Sequence, residues 1–357
     1  MTASGTSQSG TPAIERTDLA PGYTISRVIK GSWQLSAGHS TVDRNQAVDD
    51  MAAFVEAGVT AFDCADIYTG VEDLIGAFRR RYPDLAAKTR VHTKFVPDDD
   101  VLETLDRSYV TGIVDRSLKR LGQERLDLVQ FSWWRYDADR YVEVMGWLDD
   151  ERRKGKIELL GVTNFNTPAL ARILDAGIPV ASNQLQYSLL DDRPDRAMAA
   201  LCHSRGVGLL TYGTLAGGFL SERWLGVPEP TDGFDNRSLI KYKLIIDDFG
   251  GWEMFQNLLQ ALDIVARRHA STISAVATRF MLDRPAVAAC ILGARNTSHL
   301  PDTLRVFDLN LTPQDTAELE AVTAARHGPD GDVFDLERDR TGKHGRIMKY
   351  NLNRDTG

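Results

Sequence analysis

Residues 59–76 read VTAFDCADIYTGVEDLIG: an apolar run that ends at Asp63, a short polar turn, then a stretch of helix length. A short continuous apolar run followed by a helical segment is one βα unit of a parallel sheet. The unit recurs along the chain. Strands are predicted at 28–33, 59–63, 90–95, 126–132, 157–162, 180–184, 208–211 and 287–292, and a helix-length segment follows each of them except the last. Two such segments, 43–57 and 103–121, end at Gly58 and Gly122, and Gly206 punctuates another. Glycine at a helix exit admits the left-handed conformation that stops the helix. Eight parallel strands close more naturally into a barrel than into an open sheet. The expected fold is therefore α/β, a (β/α)8 TIM barrel, with its chemistry at the C-terminal ends of the strands.

Three parts are expected: a loose tail over 1–22, the barrel over 23–326 and a C-terminal extension over 327–357 that could be a cap or disorder. The connection 212–251 after the seventh barrel strand is too long for an ordinary βα loop, which suggests a lid or binding loop. The 357 residues are 43% hydrophobic and 26% charged, enough for a large soluble core. A net charge of -8 provides no field to hold a polyanion, which argues against nucleic acid and for a small-molecule partner. The Ser/Thr/Gly-rich start lacks an apolar signal or anchor segment, so no membrane role is expected. Cys64, Cys202 and Cys290 show no paired metal-ligand spacing; three sparse thiols fit a reducing, cytoplasmic setting and no metal site. Oligomeric state has no signature.

The second strand ends in Asp63-Cys64-Ala65-Asp66-Ile67-Tyr68 and the third in His92-Thr93-Lys94-Phe95. Neighbouring strands would bring Asp63, Tyr68 and Lys94 to one rim. There an ammonium would lower the phenol pKa and the carboxylate would hold the ammonium charged, so that Tyr68 trades a proton near neutral pH. A second reading stands beside it: Asp63 and Lys94 form a structural ion pair and Tyr68 packs on the rim. His92, two residues before Lys94, reads as a packed, hydrogen-bonded barrel histidine.

The run FDCADIYTGVEDLIG (62–76) resembles the second-strand signature of the aldo-keto reductases. GSWQ (31–34), TKF (93–95), GVTNFN (161–166), NQLQYSLLDDRP (183–194), TYGTLAGGFL (211–220) and ILGARN (291–296) follow in that family's order, over roughly 28–322. The resemblance implies that Tyr68 is the general acid/base, tuned by Asp63 and Lys94. It also implies a histidine on the fourth barrel strand, where this chain has Ser132, followed by Trp133 and Trp134. A serine hydroxyl does only part of the work of an imidazole at a carbonyl oxygen.

The same resemblance implies a nicotinamide dinucleotide. Thr163, Asn164 and Gln184 would contact the carboxamide and Tyr212 would stack on the ring, although Asn164 also reads as a helix N-cap ahead of Thr167-Pro168. Ser32 and the stretch Thr214, Leu215, Ala216 and Gly218 would lie along the cofactor, without any GxGxxG fingerprint in the chain. Arg295 and His299 at a helix start could hold a 2′-phosphate, which favours NADPH over NADH. Trp33, Trp133, Trp134 and Tyr136 would wall the substrate pocket, with Phe219 and Trp224 closing over it. The implied activity is reduction of an aldehyde, ketone or sugar-like carbonyl, or the reverse oxidation of an alcohol. A dinucleotide-retaining epimerase or lyase, a non-catalytic redox-sensing subunit and a purely structural barrel are the alternatives.

Overall fold

The computed structural model describes residues 13–37, 43–234 and 236–353. In chain order its strands are β1 (Arg16–Ala20), β2 (Tyr23–Ser26), β3 (Val28–Gly31), β4 (Ala61–Asp63), β5 (Arg90–Phe95), β6 (Leu126–Ser132), β7 (Ile157–Thr163), β8 (Ser182–Gln186), β9 (Gly208–Tyr212) and β10 (Val287–Gly293). The last eight close into a parallel barrel in the order β10-β3-β4-β5-β6-β7-β8-β9. All eight predicted strands are present, within three residues of their expected ends.

Local signals set the helix ends. The Asp43 carboxylate accepts from the amides of Asn45 and Gln46 and starts Arg44–Glu56. Asp106 starts Arg107–Leu121, later than the predicted 103, and Gly122 ends it at φ 64°. Side chains that satisfy first-turn amides define such starts. At Gly76 a Cβ would stand 2.2 Å from the Arg120 carbonyl oxygen, so only glycine lets Val71–Arg81 approach Arg107–Leu121 this closely.

Two expectations change, and one left open takes the first of its alternatives. Part of the supposed tail is ordered: β1 and β2 form an antiparallel hairpin, whereas residues 1–12 lie outside the described residues. Leu19, Tyr23 and Ile25 of this region pack against Ile29, Ala61, Leu128, Leu210 and Ala289, so the hairpin fills one end of the barrel with apolar side chains. The 212–251 connection is not loop throughout; it carries the helix Arg237–Phe249, started by the Asn236 side chain. The extension is ordered through its described part, residues 327–353, with short helical turns at Asp335–Arg338 and Gly345–Ile347.

The extension lies across the C-terminal mouth. The amide of Thr167 donates to Asp332 (2.8 Å) and Asn166 to Asp335 (3.1 Å) beyond β7. Arg193 pairs with Glu337 beyond β8. Further on, the Tyr350 ring meets Trp134 at 5.2 Å, and Asn353 donates to Asp66 (2.8 Å) beyond β4. No helix among the described residues is long and apolar enough to cross a membrane.

Candidate active site

Strand alternation determines which side chains reach the barrel interior. On β6, Leu128 belongs to the interior cluster, so Gln130 and Ser132 point the same way in successive levels toward the mouth. On β4 and β5, Ala61 and Asp63, and His92 and Lys94, do likewise. The lower level is apolar apart from His92, and the level above it is polar.

In that polar level Lys94 Nζ donates to both Asp63 oxygens, at 2.8 and 2.7 Å, and to the Cys64 carbonyl at 2.8 Å. Both side chains are buried. Two amides complete the set around Asp63: Gln184 Nε2 donates to its Oδ1 at 2.6 Å and Gln130 Nε2 at 3.2 Å. Gln184 Nε2 also donates to the Gln130 side-chain Oε1 at 3.0 Å. Burial alone would lower the lysine pKa, but the carboxylate beside it raises it above its ordinary value, so Lys94 stays charged. Its ammonium lies 5.0 Å from the centroid of the Tyr68 ring, and Trp33 packs on the other partner of that contact, Tyr68, at 4.8 Å between centroids.

The expectation for the Tyr68 proton is corrected in one respect. Burial raises the phenol pKa more than Lys94 lowers it, and the net shift is upward. The phenol pKa thus lies above its ordinary value, the opposite of the expected lowering. His92 is corrected too: it is fully buried and stacked on Tyr23 at 6.2 Å, with neither ring nitrogen hydrogen-bonded. Burial, with Lys94 and Arg90 adding to it, pushes its pKa down to about 3, so it is a neutral packing residue.

Around the mouth, Thr163 Oγ1 donates to the Gln184 carbonyl at 3.2 Å, and the Tyr212 hydroxyl donates to Asn164 Oδ1 at 2.8 Å. Asn164 has φ 61° and is not the helix N-cap; Asn166 caps Thr167–Asp175 instead. The Gln184 amide nitrogen is committed to Asp63 and Gln130. After β9 the chain turns through Gly213, Ala216, Gly217 and Gly218 at φ 75°, 47°, 65° and 103°. Gly213 has a second constraint, since a Cβ there would meet the Tyr242 hydroxyl at 2.6 Å. Thr214 is buried within this turn and Leu215 half-buried. The buried Ser32 hydroxyl has no partner, and its amide donates to the Asp63 carbonyl at 3.1 Å. Arg295 and His299 are exposed after β10, and Arg295 makes no ion pair among the described residues.

The aromatic residues divide. Trp33 is at the rim on Tyr68. Trp134 is held under the extension by Tyr350 and by donating to the Pro97 carbonyl at 2.8 Å. Trp133 belongs to the core outside the barrel, next to Phe131 and donating to the Ala138 carbonyl, which removes it from the expected pocket wall. Tyr136 lies under the Arg338 guanidinium, 4.3 Å from its ring centroid. Phe219 and Trp224 do not close over the mouth; they pack with Trp252 and Phe255 and anchor the long connection to Gly251–Arg268.

What does close over the mouth went unread in the sequence. Lys241 and Tyr242 on Arg237–Phe249 sit beside Tyr212, with Lys241 Nζ 4.8 Å from its ring centroid. Arg193 is clamped by Asp191 (2.9 and 2.8 Å) and by Glu337 (3.0 and 3.2 Å). Of the missed residues, Gln130 left a signal as a polar residue inside the apolar strand LDLVQFS, and Asp191 and Arg193 lie within the run 183–194.

The arrangement can hold a protonated phenol beside a fixed positive charge, at the end of the barrel where such folds do chemistry. The profile of the "Aldo/keto reductase family" matches residues 27–324. The chain is 27% identical over 319 residues to "Pyridoxal reductase, chloroplastic" of Arabidopsis thaliana, covering 84% of this chain and 83% of that one. It is 25% identical over 324 residues to "Aldo-keto reductase YhdN" of Bacillus subtilis (strain 168), covering 87% and 93%. It is also 25% identical over 307 residues to "Aryl-alcohol dehydrogenase GME11368" of Pestalotiopsis microspora, covering 82% and 76%. These similarities support an oxidoreductase in general, and with most of the barrel inside the matched span, the chain belongs to the aldo/keto reductase family.

Proposed function

We propose that this protein is an NADPH-dependent oxidoreductase that reduces an aldehyde, ketone or sugar-like carbonyl, or oxidises the corresponding alcohol, with Tyr68 as general acid/base. The observation that carries this reading is the Tyr68 phenol beside the buried Lys94–Asp63 pair. The relatives named a reductase and an alcohol dehydrogenase support the two directions of that chemistry.

Residues that would hold the dinucleotide are Thr163, Asn164 and Gln184 at the carboxamide, Tyr212 at the ring, Ser32 with Thr214, Leu215, Ala216 and Gly218 along the phosphates, and Arg295 with His299 at a 2′-phosphate. The unpartnered Ser32 hydroxyl and the unpaired Arg295 fit that assignment, since each has hydrogen-bonding capacity to give. A bound reduced nicotinamide supplies the hydride. Tyr68 delivers its proton to the carbonyl oxygen, and Lys94 stabilises the phenolate that remains. Asp63 keeps Lys94 charged and in place. Ser132, one level nearer the mouth than Gln130 on the same face, offers a hydroxyl where an imidazole is expected. Trp33 and Trp134 limit the space for the substrate. Three buried free thiols suit a reducing, cytoplasmic setting.

The test is Tyr68→Phe, which deletes the donated proton and little packing. Turnover of simple aldehydes should fall by about 10²–10⁴, with NADPH affinity, read by fluorescence titration, nearly unchanged. In the same assay Arg295→Ala should weaken NADPH more than NADH. Surviving turnover in the first variant removes Tyr68 as the acid; equal weakening of both dinucleotides in the second removes the 2′-phosphate assignment.

A further inference from the structure

The mouth carries two cations, Lys241 and Arg338, that make no ion pair among the described residues. The first is Lys241. Among the described residues its ammonium makes no hydrogen bond or ion pair and touches only aromatic faces, 4.8 Å from the Tyr212 centroid and 5.6 Å from that of Tyr242. The carboxylates that might have neutralised it, Asp191 and Glu337, are both engaged in bidentate pairs with Arg193. The second is Arg338, whose guanidinium donates to the carbonyls of Trp133 (3.3 Å), Asn164 (2.5 Å) and Val333 (3.3 Å), while its buried Nε has no acceptor. These cations stand on either side of one contact, the Tyr212–Asn164 hydrogen bond: Lys241 lies over the ring of Tyr212 and Arg338 binds the backbone of Asn164.

A half-buried ammonium packed on aromatic faces, with no acceptor among the described residues, has hydrogen-bonding capacity that an anion can take up. Burial indeed holds the Lys241 pKa below its ordinary value, against the raising effect of Glu337. Both cations come from segments added to the barrel, the helix Arg237–Phe249 and the extension, and these segments cover the strand ends where a substrate must enter.

We propose that the site takes carbonyl compounds carrying a carboxylate, and that Lys241 binds this carboxylate, with Arg338 adding to the positive field. The inference rests on the proposed carbonyl chemistry and names its substrate class. A carboxylate would give Lys241 the charge-assisted hydrogen bond it lacks, while the carbonyl end of the same molecule lies toward Tyr68. An uncharged analogue of equal shape forgoes that bond.

The experiment uses the full chain and two matched aldehydes, 4-carboxybenzaldehyde and 4-methylbenzaldehyde, with NADPH. The ratio of their kcat/KM values is measured in the protein, in Lys241→Met and in Lys241→Arg. The ratio should favour the carboxylate in the unsubstituted protein, fall about tenfold or more in Lys241→Met, and recover in part in Lys241→Arg. Alongside, binding of benzoate and benzamide to the NADPH complex is followed by tryptophan fluorescence, which needs no turnover. Benzoate should bind more tightly than benzamide, and Lys241→Met should remove the difference.

A ratio that Lys241→Met leaves unchanged overturns the proposal. So does loss of NADPH affinity in Lys241→Met by the same factor as both aldehydes lose turnover, because the ammonium would then serve the cofactor's phosphates. Failure of the carbonyl reading has a different signature: neither aldehyde is reduced, yet benzoate binds in a Lys241-dependent way.

Discussion

Two buried ion clusters lie at the same end of this barrel and do opposite work. In the first, one carboxylate, Asp63, receives one ammonium and two amides, and the ammonium, which also donates to the Cys64 carbonyl, lies beside the Tyr68 phenol. In the second, one guanidinium, Arg193, is gripped by two carboxylates whose free edges are few, Asp191 being held in addition by Gln186 at 2.6 Å. The first cluster leaves its charge facing the phenol proposed as the acid. The second has its charges satisfied on every side and ties the β8 loop to residue 337, 144 positions along the chain. On the proposed reading, charge burial alone does not mark a reactive site; the neighbour left beside the charge does.

Breaking each cluster by removing its cation should separate the two roles most sharply. Lys94→Met should cost turnover about 10²–10⁴, because the phenolate loses its stabilising charge. Arg193→Met strands two carboxylates and should destabilise the fold by about 3–5 kcal/mol, read by urea unfolding, with a much smaller loss of turnover per folded molecule. Equal turnover losses in the two variants would erase the distinction.

A smaller effect sharpens the second cluster by pH. Burial works against the ionised Glu337, but Arg193 and Lys241 outweigh it and hold its pKa at about 2, below the ordinary 4.5. The contribution of the clamp is therefore complete above pH 4.5 and lost as the pH falls towards 2. Glu337→Gln should lower stability at neutral pH by roughly 2–3 kcal/mol and flatten the decline of stability between pH 4.5 and 2. Parallel pH profiles for the two proteins would show that Glu337 stays unlinked to folding.

The smallest expected change concerns the first cluster. Gln130→Met removes the longer of the two amide contacts to Asp63 and leaves the 2.6 Å bond from Gln184. Turnover should fall by only about two- to fivefold, with NADPH affinity constant. A larger fall would mean that Gln130, rather than Gln184, sets the position of the carboxylate.

Much of the barrel was readable because its signals are local. Apolar runs such as 126–132 and exits such as Gly122 act within a few residues, and Asp63, Tyr68 and Lys94 follow from where two adjacent strands end. Ser132 was marked by the resemblance to the family's fourth-strand pattern, and in the structure it shares the face of Gln130. The expectation of Trp133 in the pocket wall failed, because one residue further along the chain the side chain turns to the outer core and hydrogen-bonds Ala138.

By itself, then, the sequence determined the eight-stranded barrel and the identity of the rim residues, since periodicity and strand ends are properties of short segments. Only the tertiary structure decided three further matters. Leu19, Tyr23 and Ile25 plug the barrel, because their partners lie on five other strands. Burial outweighs Lys94 at the Tyr68 phenol, because desolvation depends on everything packed around a group. And residues 337 and 338 lie at the mouth with Arg193, Lys241 and Asn164, because contacts between segments this far apart leave no periodic trace in either one.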